Sequence, residues 1–254
     1  MKPIILASKK DPAGMNIVEN LKKINCQIPI HLVETEIIHA ENIDKKFDTD
    51  FIIFASKHQS QIPNKTLSVH TIGNFKEAEY GGKSNTLSPA SALLSKHFFQ
   101  TLNKNNNSDY KVTLEVTHHG PLIEIPSIFI EIGSTKSEWE DKKAGELIAK
   151  TIIESINSFK KESYKIAIGI GGPHYCPSFN KIQLEDKFAI SHIVPKYGLP
   201  LTKNLVKQLI NKTQEKLTHA IIDWKGFTNS HERQEVIENI ESFGLQVLRT
   251  SDAK

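Results

Sequence analysis

The chain has 254 residues, 38% hydrophobic and 24% charged, a globular composition with room for one large domain or two small ones, which excludes a disordered or fibrous protein. Its formal charge is only +3, and among its thirty-two basic residues only Arg233 and Arg249 are arginine, so phosphate bound elsewhere must be met by lysines, backbone N–H groups or helix N-termini. Cys26 and Cys176 have no partner at zinc or redox spacing, no apolar run reaches membrane-spanning length, and Lys9-Lys10-Asp11 interrupts the N-terminal run too early for a signal segment; the cytoplasm is expected.

In chain order, the continuous apolar runs Pro3–Ala7 and Asp50–Ala55 predict strands buried on both faces. Between them Met15, Val18, Leu21 and Ile24 recur at helical spacing, which predicts a βαβ opening. Ser68–Ile72 is a further strand. Ser88, with Pro89 at the first helical position, predicts a helix to about Leu102. The polar stretch 103–109 reads as a surface loop. Strands are then expected at Tyr110–Thr117, Ser127–Ile132, Lys165–Ile170, Phe188–Val194 and His219–Ile222. Ser137 and Glu140 form a capping box for a helix whose apolar stripe runs from Trp139 to Phe159, and further helices are expected at Thr202–Lys216 and Asn229–Phe243. Strands alternating with helices predict a single three-layer α/β/α domain over residues 1–254, with a mixed, mostly parallel sheet.

Candidate chemistry gathers where apolar strands stop. Leu114-Glu115-Val116-Thr117-His118-His119-Gly120-Pro121 sets two histidines at a Gly-Pro break, where sheets of this class bind ligands. Successive strand side chains point to opposite faces, so His118 and His119 can serve one centre only if the chain has left strand conformation. Ile168-Gly169-Ile170-Gly171-Gly172-Pro173-His174-Tyr175 repeats the layout. Glu131, inside the apolar run at 127–132, must be paired, protonated or metal-bound if buried, unless it lies on an edge. Histidine and carboxylate are ligands that zinc accepts and are also general acids and bases, so metal-activated water and plain His/Glu catalysis both stay open. His31, His39, His58, His97, His219 and His231 have no second polar residue at ligand spacing and read as surface or hydrogen-bonded histidines. Cys176 reads as a packing residue. Tyr80-Gly81-Gly82-Lys83 lacks P-loop spacing, and no Gly-x-Ser-x-Gly elbow occurs.

Together, Val69-His70-Thr71-Ile72-Gly73-Asn74, Glu79-Tyr80-Gly81-Gly82-Lys83, the segments around His118, Glu131 and His174, and Ser191-His192-Ile193-Val194-Pro195-Lys196-Tyr197 resemble the archaeal and plant type of D-aminoacyl-tRNA deacylase. They cover about positions 69 to 197, with a weaker match from Lys225-Gly226 to Glu232-Arg233. Pro173 and Ser178 depart from the family's usual smaller and basic residues. The resemblance implies a monomeric hydrolase with a phosphorylase/hydrolase-like fold that cleaves the ester of D-aminoacyl-tRNA, needs no protein partner, and is associated with zinc. It implies His118, His119, His174 and Glu115 as catalytic and His118, His119, His174 and Glu131 as metal ligands. Substrate contacts are expected from His70, Asn74, Gly81, Gly82, Lys83, Tyr175, His192 and Lys196, with the N–H groups of Gly171 and Gly172 facing the tetrahedral intermediate. The rivals are a zinc-dependent amidase, a nucleoside phosphorylase-like enzyme, which usually needs an arginine for its phosphate, and an RNA-binding module, for which 7% aromatic residues offer thin support.

Overall fold

The apolar runs become buried strands, joined by helices that each bury one face. A computed structural model describes residues 1–60 and 63–253. The chain runs β1 (Pro3–Ser8), α1 (Pro12–Lys23), β2 (Ile30–Val33), β3 (Phe51–Gln59), β4 (Thr66–His70), β5 (Gly73–Asn74), β6 (Thr86–Leu87), α2 (Ala92–Asn105), β7 (Lys111–Leu114) and β8 (Ser127–Ser134). There follow α3 (Lys136–Trp139), α4 (Lys142–Ser158), β9 (Lys165–Gly172), α5 (Pro177–Leu184), β10 (Phe188–Pro195), α6 (Lys203–Lys212), β11 (His219–Ile222), α7 (Ser230–Glu241) and β12 (Gln246–Arg249).

The strands form a six-stranded sheet, β2-β1-β3-β8-β4-β7, a four-stranded sheet, β10-β9-β11-β12, and the small pair β5-β6. Neighbours in the two large sheets are parallel except β4 and β8, so the expected mixed, mostly parallel α/β architecture with helices on both sides is present, divided between two sheets. Residues 115–117 stitch them together. Glu115 N–H bonds to the Val69 carbonyl at 3.1 Å, Val116 N–H to that of His174 at 3.0 Å, and Thr117 N–H to that of Ile193 at 2.8 Å.

Alternation along each strand divides the apolar side chains among three clusters. Ile53, Leu67, Ile130 and Ile132 face Ile17, Phe98, Ile148 and Ile152 from α1, α2 and α4. On the opposite face Ile52, Phe54 and Phe129 meet Ile37 and Ile43 from two 3₁₀ turns. Ile168, Ala220 and Ile222 of the second sheet pack on Val206, Leu209 and Val236 from α6 and α7.

Several boundaries differ from expectation. Ser88 is not a helix cap: its hydroxyl donates to the Pro121 carbonyl, while Ala90 pairs with the 212–214 segment. The helix begins after Ser91, because the Glu215 carboxylate takes the N–H groups of Ala92 and Leu93, and the same pairing stops α6 at Lys212. The capping box belongs to Thr135 and Glu138 rather than Ser137 and Glu140, and Asp141 then caps a separate helix. The polar stretch is still helical at 103–105, and β7 ends at Leu114 because the chain then turns to the second sheet. β2, α5 and β12 had no strong sequence signal.

Candidate active site

Strand phase selects the site's buried members. Ser56 and His58 of β3, Ser68 and His70 of β4, and Glu131 of β8 share the face opposite α1 and α4, with Glu131 opposite Ser56 and Ser68. The segment after β7 adds Glu115, His118 and His119, and the segment after β9 adds His174. His119 has φ +45°, which confirms that the histidine pair lies outside strand conformation and lets both rings face one centre. Their centroids are 4.3 Å apart, and His70 lies 4.4 Å from His118.

His58, His118, His119, Glu131 and His174 line a cleft of about 540 Å³, with Lys10, Lys57 and the exposed Tyr80 on its walls. Glu115 is fully buried behind the lining histidines. His58 Nδ1 is 3.1 Å from one carboxylate oxygen, while His174 Nε2 at 3.0 Å and His118 Nε2 at 3.6 Å approach the other. Tyr175 Oη is 3.0 Å from His58 Nε2. Burial opposes ionisation of Glu115, but the adjacent His174 and His58 outweigh it and hold its carboxyl well below the usual range. Burial wins at Glu131, whose carboxyl is raised despite His70 at 3.5 Å. Burial also lowers His118 well below an ordinary imidazole and pushes His119 down to about 3, in both cases with help from neighbouring histidines.

The backbone fixes three tautomers. The Nδ1 atoms of His70, His118 and His119 lie 3.0, 2.7 and 2.6 Å from the carbonyls of Thr71, Val116 and Gly120. A carbonyl only accepts, so each Nδ1 carries hydrogen, and in a neutral ring Nε2 presents a lone pair. These three histidines can bring ligand atoms within 4.8 Å of one another. The Nε2 of His70 and both oxygens of Glu115 are buried without an aligned hydrogen bond. Converging lone pairs beside an ionised carboxylate call for positive charge, and imidazoles anchored through their other nitrogen are the usual way a protein presents zinc ligands. The donor chemistry therefore fits the expected metal.

The expected ligand set is redistributed. His118 and His119 group with His70; His174 groups with Glu115 and His58; Glu131 groups with His70 and Glu115. His58, read from sequence as an ordinary histidine, is in the centre of the site. Its one available signal was the layout shared with His174, a histidine closing an apolar strand.

Other expected contacts lie elsewhere. His192 is wholly buried, its Nε2 on the Ser88 carbonyl. Gly171 packs on Gly226 and the Asp223 carbonyl, and Gly172 on Phe179, so neither lines the cleft as an oxyanion donor. The Gly81-Gly82 turn is occupied by the protein itself: Asn74 donates to the Gly81 carbonyl, and Gly82 N–H donates to Glu41. Its place is to carry Tyr80 to the cleft wall. Lys83 and Lys196 are exposed and outside the cleft lining. Cys176 is a packing residue, as read: it is buried, and burial pushes its thiol well up.

Residues 45–248 match a family model described as D-aminoacyl-tRNA deacylase. The chain is 35% identical to a D-aminoacyl-tRNA deacylase of Thermococcus onnurineus, over 97% of this chain and 99% of that protein. It is 36% identical to one of Methanocaldococcus jannaschii, over 97% and 98%. A crystal structure of a conserved protein of unknown function superposes with a TM-score of 0.91 at 32% identity, covering 99% of this chain and 96% of that one.

Proposed function

The chain belongs to the D-aminoacyl-tRNA deacylase family, and from that premise we propose that it hydrolyses the ester joining a D-amino acid to the terminal ribose of tRNA, releasing the free amino acid and tRNA. The observation that carries the reading at this site is Glu115, ionised and buried behind two histidines of the cleft, His174 and His58, that touch it. A slight turn of the His174 ring aligns Nε2–H with Glu115 and leaves Nδ1 as the base, an arrangement in which a buried carboxylate orients an imidazole and stabilises its charged form. His174 suits the role because its side chain is 40% exposed at the cleft, whereas Glu115 is fully buried.

Water attacks the ester carbonyl as His174 takes its proton. Collapse of the tetrahedral intermediate breaks the bond to the ribose oxygen, which takes that proton back as it leaves. His58, held between Tyr175 and Glu115, fixes the carboxylate. Lys10 and Lys57 on the cleft walls favour negative charge developing on the carbonyl oxygen. His70, His118 and His119 would hold zinc through Nε2. Burial keeps the rings of His118 and His119 neutral with their lone pairs available, whereas His70, raised despite its burial by the Glu131 carboxylate beside it, would release its proton on binding. Bound there, zinc would act as a Lewis acid toward the ester or an attacking water. The reading carries with it a cytoplasmic location and action as a monomer. The cleft lining contains no arginine among the described residues, so a phosphorylase reading gains no phosphate clamp.

Metal content and activity are tested together. Dialysis against a chelator is expected to remove zinc and deacylation, with both restored by added zinc; full turnover by metal-free protein would take zinc out of the mechanism.

A further inference from the structure

The chain's two arginines meet on one ring. The guanidinium carbons of Arg233, from α7, and Arg249, at the end of β12, lie 4.0 and 3.4 Å from the centroid of Trp224. No carboxylate pairs with either among the described residues. Two like charges share one indole without a counter-ion, and stacking uses their faces while leaving N–H edges for an acceptor. A fold that needed only a packed tryptophan would not require both cations.

The neighbouring surface has the same character. Asp223, Lys225, Ser178, Lys181, Thr250 and Ser251 line a second, open cleft of about 290 Å³. Asp223 is engaged within the protein, accepting from Ser178 Oγ at 3.1 Å and from the Lys225 N–H at 3.1 Å. Ser178 and Ser251 donate their hydroxyls to Asp223 and Asp252, which leaves the two lysines, both exposed, and Thr250 to face a ligand. Trp224 is outside this lining and packs with the α6–α7 core, while Lys225, next to it, and Thr250, next to Arg249, line the cleft, so the arginine stack and the lysine-lined cleft are neighbours along the chain.

The position relates this surface to the active site. β9, β11 and β12 are adjacent and parallel. Their carboxyl ends lead in turn to His174, to Asp223–Lys225, and to Thr250–Ser251. Two strand spacings, about 10 Å, separate the first end from the last. The cationic row is therefore within reach of a nucleic-acid strand whose terminal ester is held at His174.

We propose that Arg233, Arg249, Lys225 and Lys181 form a phosphodiester-binding surface that holds the RNA strand behind the terminal ribose of the substrate. The proposal rests on the reaction assigned above. Arginine forks and lysine point charges read phosphate without reading sequence, which suits an enzyme that must accept many tRNAs.

The test is a fluorescence anisotropy titration of a labelled, unacylated acceptor-stem hairpin RNA with the full-length protein over a series of KCl concentrations. Relative to wild type, the Arg233→Gln/Arg249→Gln variant is expected to bind about tenfold more weakly, with a salt slope shallower by about two. Lys225→Gln leaves the arginine stack intact and is expected to lower the slope by about one, which covers failure of the double variant to fold. Wild-type affinity and slope in folded variants would overturn the proposal. Hydrolysis of a saturating D-aminoacyl-tRNA by the wild-type protein is measured alongside. Its absence would sink the assigned reaction, while the hairpin titration still decides whether the surface binds RNA.

Discussion

Glu115 and His174 make the sharpest claim at the scale of single residues. Replacing Glu115 with Gln removes the charge that orients the base, and turnover is expected to fall by about 10³ or more, by analogy with carboxylates that orient catalytic imidazoles. Single-turnover deacylation measures it, with circular dichroism to show retained fold. The histidines divide by role: His174→Ala is expected to lose turnover and retain zinc, and His118→Ala to lose both, read by elemental analysis beside the assay. Near-normal turnover in either variant contradicts the assignment. His192 sets a stability limit instead. Burial pushes its imidazole down to about 4, against an ordinary 6.5. Between those values the unfolded chain takes up a proton that the folded one refuses, so stability present above about pH 6.5 is lost as pH falls toward 4. His192→Gln, still able to donate to Ser88, is expected to lose about 2–3 kcal/mol less over that window than wild type, measured by urea denaturation at pH 7 and 4.5. An unchanged pH dependence contradicts a neutral, buried ring.

At the scale of elements, the turn carrying Tyr80 depends on glycine. A Cβ on Gly81 would stand 1.8 Å from the Ile38 carbonyl oxygen at φ +71°, so Gly81→Ala is expected to cost roughly 1–3 kcal/mol and to raise KM by displacing Tyr80. Thermal melts and steady-state kinetics check this, and an unchanged melting point would contradict the packing described. Long apolar strands were legible because period and burial are local properties of sequence. The helix starts were not, because distant groups decided them: Glu215 caps α2 from 123 residues away. The same divide applies to the site. His118, His119 and His174 stood out at strand ends, and Glu131 as a charge inside an apolar run. His58 did not, because its meaning comes from Glu115, a partner brought by sheet topology rather than spacing. Gly171, Gly172 and His192 were read as substrate contacts from motif position, but the second sheet packs them into its own interior.

At the scale of the molecule, the active site exists only while the two sheets stay joined. Thr117 holds the seam: its hydroxyl accepts the Ile193 N–H at 3.0 Å and lies 2.7 Å from that of Thr71. One residue before it, Val116 is bonded to His174, so the seam also sets the distance between the base and Glu115. Thr117→Val leaves a buried N–H without its partner and is expected to cost about 1–3 kcal/mol, with a larger loss of turnover than of stability. Equal stability and turnover to wild type would separate the seam from the chemistry. On the proposed reading, the cleft and the cationic row along the strand ends toward β12 would together engage the aminoacyl end and phosphate rather than base sequence. The most direct measurement is incubation of the zinc-loaded protein with a matched pair of D- and L-aminoacyl-tRNAs, following release of labelled amino acid. Selective, catalytic release of the D-amino acid is the expected result; equal release from both, or release from neither, would contradict the account.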